Sequence, residues 1–167
     1  KKVLSLIPLD KDIDLISSEG INKYYKGDFS RLSPVVRAFK YFIETNNIDL
    51  KDLEVTVIGE GGLVGKPLAY NMSKNQAKVN VLSDYDGKCK ISCQLLVLSA
   101  GVPKLVKGEN VNSGADIIDF GSSIIEGKCV GDLDLESKID HLGIISPSPG
   151  GLGPLVVRFL ILNFLKI

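Results

Sequence analysis

The chain has 167 residues, 44% of them hydrophobic and 24% charged, which is enough to bury a core of ordinary size. Its 20 basic residues balance 20 acidic ones, so nothing in the charge favours a nucleic-acid or membrane-surface partner. No apolar run reaches the ~20 residues required to span a bilayer, and no signal-peptide pattern is visible.

The first 47 residues contain one clear helix signal. Residues 1–9 are apolar and are compatible with a strand or with the end of a helix. Further on, Ser33-Pro34 combines a preferred N-cap with a proline at the first helical position. Apolar residues then recur at helical spacing until Asn46-Asn47. We therefore predict a helix from Pro34 with one buried face.

A strand, a glycine turn and a helix follow one another between Val55 and Pro67. Gly59 permits a tight turn, and Gly61 and Gly62 carry no side chain to block a phosphate that approaches the backbone. The helix beyond offers unpaired N–H groups and the positive end of its dipole. This pattern predicts a dinucleotide-binding βαβ unit. A glycine turn required only by backbone geometry is the alternative interpretation.

The rest of the chain alternates apolar runs with loops, which predicts a Rossmann-like α/β fold with a mostly parallel sheet and helices on both faces. The predicted elements are strands at 78–82, 94–99, 116–120 and 144–145, a small hairpin at 125–130 and a closing helix at 153–166. The closing helix is apolar on nearly every face, and such a helix is normally buried on more than one side.

Cysteine and histidine are too sparse to build a metal centre. Cys89, Cys93 and Cys129 are an odd number without CxxC spacing, which favours reduced thiols in a cytoplasmic protein. His141 is the only nitrogen ligand available to them, and we interpret it as an exposed loop residue. We therefore expect no metal.

Five motifs occur in a fixed order along the chain. They are Lys11-Asp-Ile-Asp14, Gly59-x-Gly61-x-x-Val64-Gly65-x-Pro67, Gly101-Val-Pro-Lys-Leu-Val-Lys-Gly108, Gly131-Asp-Leu-Asp134 and Ser146-Pro-Ser-Pro-Gly-Gly-Leu-Gly-Pro154. The set resembles the bifunctional methylenetetrahydrofolate dehydrogenase/cyclohydrolase family. The resemblance implies oxidation of 5,10-methylenetetrahydrofolate with a nicotinamide cofactor, NAD or NADP, and hydrolysis of the methenyl product to 10-formyltetrahydrofolate.

The resemblance also implies a domain organisation. Residues 1–47 would be the remnant of an N-terminal α/β substrate domain with its linking helix, and residues 48–152 the dinucleotide-binding Rossmann domain. The helix at 153–167 would return to the substrate domain, and its burial within the cofactor domain alone is the alternative. A homodimer formed through the cofactor domains is the implied assembly.

The family's binding residues can be carried over to matching positions. The implied cofactor-binding residues are Gly59, Glu60, Gly61, Gly62, Leu63, Val64, Gly65, Asp84, Ala100, Gly101, Val102 and Pro103. The implied folate-binding residues are Asp14, Pro149, Gly150 and Gly151. Asp84 also follows the second strand at a distance typical of an acid that binds the adenine ribose, and a solvated turn residue is the alternative.

Some positions depart from the family pattern. The Tyr-x-x-x-Lys pair of the family's N-terminal substrate domain has no match in residues 1–47, so no catalytic residue is assigned. Leu15 replaces a glycine, and Leu155-Val156 replaces Met-Thr. Glu60-Gly61 replaces the Arg-Ser pair that recognises the 2′-phosphate of NADP, which favours NAD. A dinucleotide-binding module that is non-catalytic or depends on a partner is the alternative function, and a dehydrogenase of another substrate is a third possibility.

Overall fold

A computed structural model describes residues 3–167 of the chain. The α-helices are Ser18–Tyr25 (α1), Pro34–Thr45 (α2), Gly65–Lys74 (α3) and Gly153–Leu165 (α4). The strands are Glu54–Ile58 (β1), Lys78–Leu82 (β2), Leu95–Leu98 (β3), Val106–Lys107 (β4), Asp116–Asp119 (β5), Ser123–Ile125 (β6), Lys128–Val130 (β7), Leu133–Asp134 (β8) and Ile145–Ser146 (β9). Short 3₁₀ turns lie at Leu4–Leu6, Leu9–Lys11 and Gly108–Asn110.

Five strands form one central sheet in the order β2-β1-β3-β5-β9, and every neighbouring pair is parallel. This arrangement confirms the predicted Rossmann-like α/β fold. Because the strands are parallel, all their carboxyl ends lie at one edge of the sheet, where ligands bind in this class of fold. The loops that follow β1, β3, β5 and β9 therefore meet at that edge.

The two faces of the sheet are covered differently. One face packs against α1, α2 and α3, through residues such as Tyr24, Phe39 and Leu68. The other face is covered by loop residues and by the small β4–β8 sheet, with no α-helix in its core cluster among residues 3–167. The prediction of helices on both faces is therefore wrong for this second face. The segment from β2 to β3 has no 3.6-residue apolar repeat and contains Asp86-Gly87, so it crosses the sheet as a loop.

The N-terminal segment is mostly irregular until α2. Residues 3–9 form neither a strand nor the end of an α-helix, since Pro8 favours an extended Ile7, whose ψ is 117°. Lys1 and Lys2, the start of that predicted stretch, lie outside the described residues. The helix predicted at Pro34 is confirmed, with the Ser33 side chain accepting a 3.3 Å hydrogen bond from Val36 N–H.

The closing helix α4 packs along α2 and leaves much of its apolar surface in solvent. Only Phe159 is buried, under the Arg37 guanidinium, whose carbon lies 4.8 Å from the ring centre. By contrast, Val157, Ile161 and Phe164 are 57%, 54% and 68% exposed. Burial on more than one side, expected from its all-round apolar sequence, is not found in the described chain. No helix within residues 3–167 has the length and apolar character needed to cross a membrane.

Candidate functional site

The glycine turn after β1 is packed tightly against the end of β3. Gly59 has a φ of +88°, and a Cβ there would lie 2.7 Å from the backbone of Ala100. A Cβ on Gly65 would lie 2.0 Å from the Gly59 carbonyl oxygen. Only glycine fits at these two positions, so the backbone path of the turn requires both.

The same turn is open on its other side. No heavy atom lies within 4 Å of the Cβ position of Gly61 or of Gly62. Helix α3 begins three residues later at Gly65, and no side chain caps its N-terminus. In the first turn of α3, Lys66 N–H donates to the Gly61 carbonyl at 3.1 Å and Pro67 has no N–H. The exposed backbone at Gly61 and Gly62 and the positive end of the α3 dipole form a cradle that fits a phosphate group.

The loop after β3 adjoins this turn. The Ser99 hydroxyl lies 2.9 Å from the Gly59 carbonyl oxygen and 3.1 Å from that of Ile58, which ties the two strand ends together. Gly101 adopts a φ of +67°, and the space around its Cβ position is open. The adjacent Val102 is 47% exposed. Residues 100–103, predicted to bind cofactor, thus lie at the same sheet edge as the glycine turn.

Two buried aspartates beneath this edge received no role from the sequence. Asp132 accepts hydrogen bonds from Ala100 N–H at 2.7 Å and Gly101 N–H at 3.1 Å. Asp119, the last residue of β5, accepts from Gly121 N–H at 2.7 Å and Leu133 N–H at 2.9 Å. Together they join the loops that follow β3 and β5 to the segment before β8.

Burial has the largest influence on the pKa of both carboxyl groups. It raises the pKa of Asp119 to about 6, and the charge of Asp132 adds to the effect. Burial likewise raises the pKa of Asp132, opposed by the N–H groups of the 100–102 loop. Two signals pointed to these residues, the charge of Asp119 at the end of an apolar strand and the Gly131-Asp-Leu-Asp134 motif.

The loop after β9 completes the edge. It contains a cis peptide between Ser148 and Pro149, and Gly150 has a φ of +102°. A Cβ on Gly151 would lie 2.3 Å from the Pro147 carbonyl oxygen, so the loop is folded tightly on itself. A Cβ on Gly131 would lie 2.5 Å from the Ser148 carbonyl oxygen, which places this loop against the segment that carries Asp132.

Asp14 lies on the side of the glycine turn that faces the N-terminal segment. It lines a cavity of about 20 Å³ together with Gly62, Leu63 and Pro67. Burial, reinforced by the neighbouring charge of Asp12, raises the pKa of the Asp14 carboxyl. The structure thus brings Asp14 next to the predicted cofactor turn.

Leu15 occupies a position at which the family that the sequence resembles has a glycine. Its φ is +56°, in the left-handed region that favours glycine, so the chain keeps the glycine-like backbone with a larger side chain. The preceding turn is held by Asp12, whose carboxylate oxygens accept from Ile16 N–H and Ser17 N–H, each at 2.9 Å.

Glu60 and Asp84 lie in exposed positions at the ends of neighbouring strands. Glu60 comes two residues after Ile58, and Asp84 comes two residues after Leu82. Ile58 and Leu82 are paired across β1 and β2, so the two acids follow the same level of the sheet. Lys78 and Lys88, cations on either side of Asp84 in the sequence, have other ion-pair partners. Lys88 forms an ion pair with Asp86, and Lys78 lies at the opposite end of β2, 3.8 Å from Asp52.

His141 differs from the prediction of an exposed loop residue. It is half-buried, and its Nε2 lies 3.0 Å from the Val111 carbonyl oxygen, so this nitrogen carries the proton. Nothing in residues 3–167 groups three or more His, Cys, Asp or Glu side chains in a way that would hold a metal ion. The three cysteines are free thiols.

The parallel sheet and the glycine turn at its carboxyl edge define a Rossmann-like dinucleotide-binding domain. Residues 34–167 match the model of the tetrahydrofolate dehydrogenase/cyclohydrolase NAD(P)-binding domain. The chain therefore belongs to the tetrahydrofolate dehydrogenase/cyclohydrolase family, as the five motifs predicted.

Individual relatives agree with this assignment. The chain is 37% identical to the bifunctional protein FolD of Hydrogenobaculum sp., over 99% of this chain and 62% of that protein. The crystal structure of the FolD dehydrogenase/cyclohydrolase from Campylobacter jejuni has a TM-score of 0.88 at 27% identity, covering 99% of this chain and 60% of that one. The Trypanosoma brucei enzyme complexed with NADP cofactor and inhibitor has a TM-score of 0.82 at 25% identity, with coverage of 99% and 60%. The chain thus spans about 60% of the length of these relatives.

Proposed function

We propose that the carboxyl edge of the sheet binds one nicotinamide dinucleotide. In this assignment the pyrophosphate lies on the open backbone of Gly61 and Gly62, at the N-terminus of α3. The nicotinamide half lies against the loop from Ala100 to Pro103. The single observation that carries the proposal is the contrast within one turn. Gly59 and Gly65 are glycines because the fold requires it, whereas no protein atom occupies the space beside Gly61 and Gly62.

NAD is the preferred cofactor in this proposal. The adenine ribose would lie between the ends of β1 and β2, where Glu60 and Asp84 are both exposed. A 2′-phosphate at that position would be repelled by two carboxylates, while Lys78 lies at the opposite end of β2 and Lys88 lies beside Asp86. The other members of the predicted cofactor set, Leu63 to Gly65, supply backbone at the start of α3.

The reaction we assign is oxidation of 5,10-methylenetetrahydrofolate, followed by hydrolysis of the methenyl product to 10-formyltetrahydrofolate. The bound nicotinamide ring would accept the hydride, which is the chemistry that this cofactor supplies. The chain's own contribution is to hold the cofactor rigidly and to shield it on one side. Support comes from the family membership and from the Gly131–Asp132 segment. This segment contacts both the Ser148 carbonyl of the loop after β9 and the Ala100 and Gly101 amides of the loop after β3.

Asp14 and the residues from Pro149 to Gly151 are the proposed folate contacts. Asp14 lies beside Gly62 and Leu63, so a substrate bound to it would be close to the cofactor turn. Because its pKa is raised, the Asp14 carboxyl accepts or shares a proton more readily than an exposed aspartate does. This property suits a group that hydrogen-bonds the ring of a pterin.

We further propose that residues 48–152 form the cofactor domain and that residues 1–47 and 153–167 belong with a substrate domain. Two observations support this division. The apolar surface of α4 is largely exposed, and a cavity of about 420 Å³ lies between α4, the start of α2 and residues 12–32. In this proposal both surfaces are covered by the part of the longer relatives that this chain does not match. The cytoplasmic location and the homodimer predicted from the sequence remain proposals.

The alternative is a dinucleotide-binding module that stays non-catalytic even with a substrate domain beside it, and one observation favours it. Residues 1–47 contain no Tyr-x-x-x-Lys pair, and the one such spacing in the chain, Tyr70-x-x-x-Lys74, lies in α3 of the proposed cofactor domain. A steady-state assay separates the two functions. The chain is assayed with 5,10-methylenetetrahydrofolate and NAD⁺, alone and mixed with the unmatched portion of the Hydrogenobaculum relative. Reduced nicotinamide formed in the mixture supports the enzyme assignment, and a mixture without turnover but with cofactor binding supports the module.

A further inference from the structure

Asp132 is a fully buried acid whose hydrogen bonds reach the loop after β3. Its Oδ2 accepts both Ala100 N–H, at 2.7 Å, and Gly101 N–H, at 3.1 Å. Its Oδ1 is buried and has no hydrogen-bond partner among residues 3–167. A charge-assisted bond to two consecutive amides is strong, so this carboxylate fixes the orientation of both peptide groups.

A hydrogen bond that fixes a peptide N–H also fixes the direction of the C=O group in the same peptide unit. In a trans peptide the C=O points away from the N–H of the same unit. The N–H groups of Ala100 and Gly101 point at Asp132, so the carbonyls of Ser99 and Ala100 turn to the opposite side. The backbone here is open to an approaching ligand, because no heavy atom lies within 4 Å of the Cβ position of Gly101.

We propose that Asp132 is a positioning residue for the nicotinamide carboxamide, and that it aims the Ser99 and Ala100 carbonyls at the carboxamide NH₂. The inference rests on the proposed cofactor function. A primary amide donates two hydrogen bonds, and two neighbouring carbonyls can accept them. Asp132 itself does not touch the ligand in this arrangement.

The surroundings of Asp132 are shaped for a carboxylate. A Cβ on Gly121 would lie 2.1 Å from the Asp132 carboxyl carbon, so only glycine leaves room for it. The neighbouring Asp119 binds Gly121 N–H and Leu133 N–H, and no hydrogen bond links it to the 100–101 amides. The direct connection from the buried acids to the cofactor loop is therefore the one through Asp132.

The test compares the binding of NAD⁺ with that of ADP-ribose. ADP-ribose lacks the nicotinamide ring and keeps the remainder of the NAD⁺ molecule. Affinities are measured by calorimetry for the wild-type chain and for Asp132→Ala and Asp132→Asn. We expect Asp132→Ala to weaken NAD⁺ about tenfold and ADP-ribose less than about twofold. Asp132→Asn should weaken NAD⁺ about threefold, because an amide oxygen accepts the same bonds without the charge.

Asp116→Asn is the matched control. Asp116 Oδ1 also accepts a backbone N–H, that of Ile144 at 2.7 Å, but it lies at the amino end of β5. We expect this variant to bind both ligands like the wild type. If circular dichroism shows that Asp132→Ala does not fold, the expected threefold loss of NAD⁺ affinity in Asp132→Asn tests the positioning role instead.

Three outcomes have distinct meanings. Selective weakening of NAD⁺ in the Asp132 variants supports the positioning role. Equal weakening of both ligands, or no weakening, overturns it while the proposed cofactor function stands. A wild-type chain that binds neither ligand overturns the proposed function itself, and the positioning role with it.

Discussion

Gly61 and Gly65 are four residues apart in one turn, but the space around them differs. A Cβ on Gly65 would lie 2.0 Å from a backbone carbonyl oxygen, whereas one on Gly61 would meet nothing within 4 Å. Gly65→Ala should therefore lower the free energy of unfolding by about 2 kcal/mol or more. Urea denaturation of both variants measures the difference.

Gly61→Ala should instead leave stability within about 0.5 kcal/mol of the wild type. Its methyl group would occupy the space that we assign to the pyrophosphate, so the Kd for NAD⁺ should rise by about tenfold or more. Calorimetric titration checks this effect. A Gly61→Ala variant that is stable and binds NAD⁺ normally would refute the assignment of this space.

Glu60 controls the choice of cofactor in our proposal. Glu60→Arg replaces repulsion of a 2′-phosphate with a charge-assisted hydrogen bond. The ratio of NADP⁺ to NAD⁺ affinity should rise by about tenfold or more, as measured by titration of each cofactor. Glu126→Arg, an exposed position in the β6–β7 turn, serves as a charge-matched control and should leave the ratio unchanged.

Asp119 should make stability depend on pH in a direction opposite to that of most carboxylates. Burial raises its pKa in the folded chain to about 6 from an ordinary value of 3.8, so the folded chain holds the proton more tightly than the unfolded chain does. Its contribution to stability is present below pH 3.8 and is lost as the pH rises through 6, by roughly 3 kcal/mol in total.

Asp119→Asn removes this contribution. Urea denaturation at intervals from pH 4 to pH 7 should show the wild type losing stability relative to the variant as the pH rises. Other acids titrate in both proteins, so only the difference between the two curves is informative. Parallel curves would mean that Asp119 is ionised normally in the folded chain.

Among the elements, those with local signals were predictable from the sequence. Helix α2 begins at Ser33-Pro34, where an N-cap and a proline act on neighbouring backbone groups. Strand β3 is a continuous apolar run, and all four of its residues are buried. Helix α1, capped by Ser17, was not predicted, because eight residues with few apolar positions give a weak periodic signal.

The candidate site likewise contains some features that the sequence predicts and others that it does not. The glycine turn after β1 was predictable because its backbone requirements are local. The roles of Asp119 and Asp132 were not, since they depend on burial and on bonds to residues up to 32 positions away. Leu15 is a further case, since nothing local in the sequence marks it for a left-handed backbone.

Helix α4 is joined to the N-terminal segment through Asn163. Its Nδ2 donates to the carbonyls of Ile13, at 2.8 Å, and Leu32, at 3.0 Å, and its Oδ1 accepts from Arg37 at 2.7 Å. Asn163→Ala leaves these groups without partners and should destabilise the chain by about 1–3 kcal/mol in urea denaturation.

Ile161→Ala is a control on the same helix. Ile161 is 54% exposed, so its truncation should change stability by less than about 1 kcal/mol. Equal effects of the two substitutions would show that Asn163 does not anchor the helix.

At the scale of the whole molecule, cofactor binding and catalysis require different parts. The glycine turn and the 100–103 loop lie wholly within the chain, whereas residues 1–47 contain no match to the Tyr-x-x-x-Lys pair of the family's substrate domain. We therefore expect the 167-residue chain alone to bind dinucleotide without oxidising 5,10-methylenetetrahydrofolate. Formation of reduced nicotinamide, followed by absorbance, measures this. Substantial turnover by the isolated chain would contradict the proposed division into domains.

We propose above that the carboxyl edge of the sheet is a nicotinamide dinucleotide site. Calorimetric titration of NAD⁺ and NADP⁺ into the 167-residue chain tests it most directly. We expect saturable binding of one NAD⁺ per chain, with NADP⁺ bound more weakly. Absence of binding of either dinucleotide at millimolar concentration would contradict the site, and tighter binding of NADP⁺ would contradict the role given to Glu60 and Asp84.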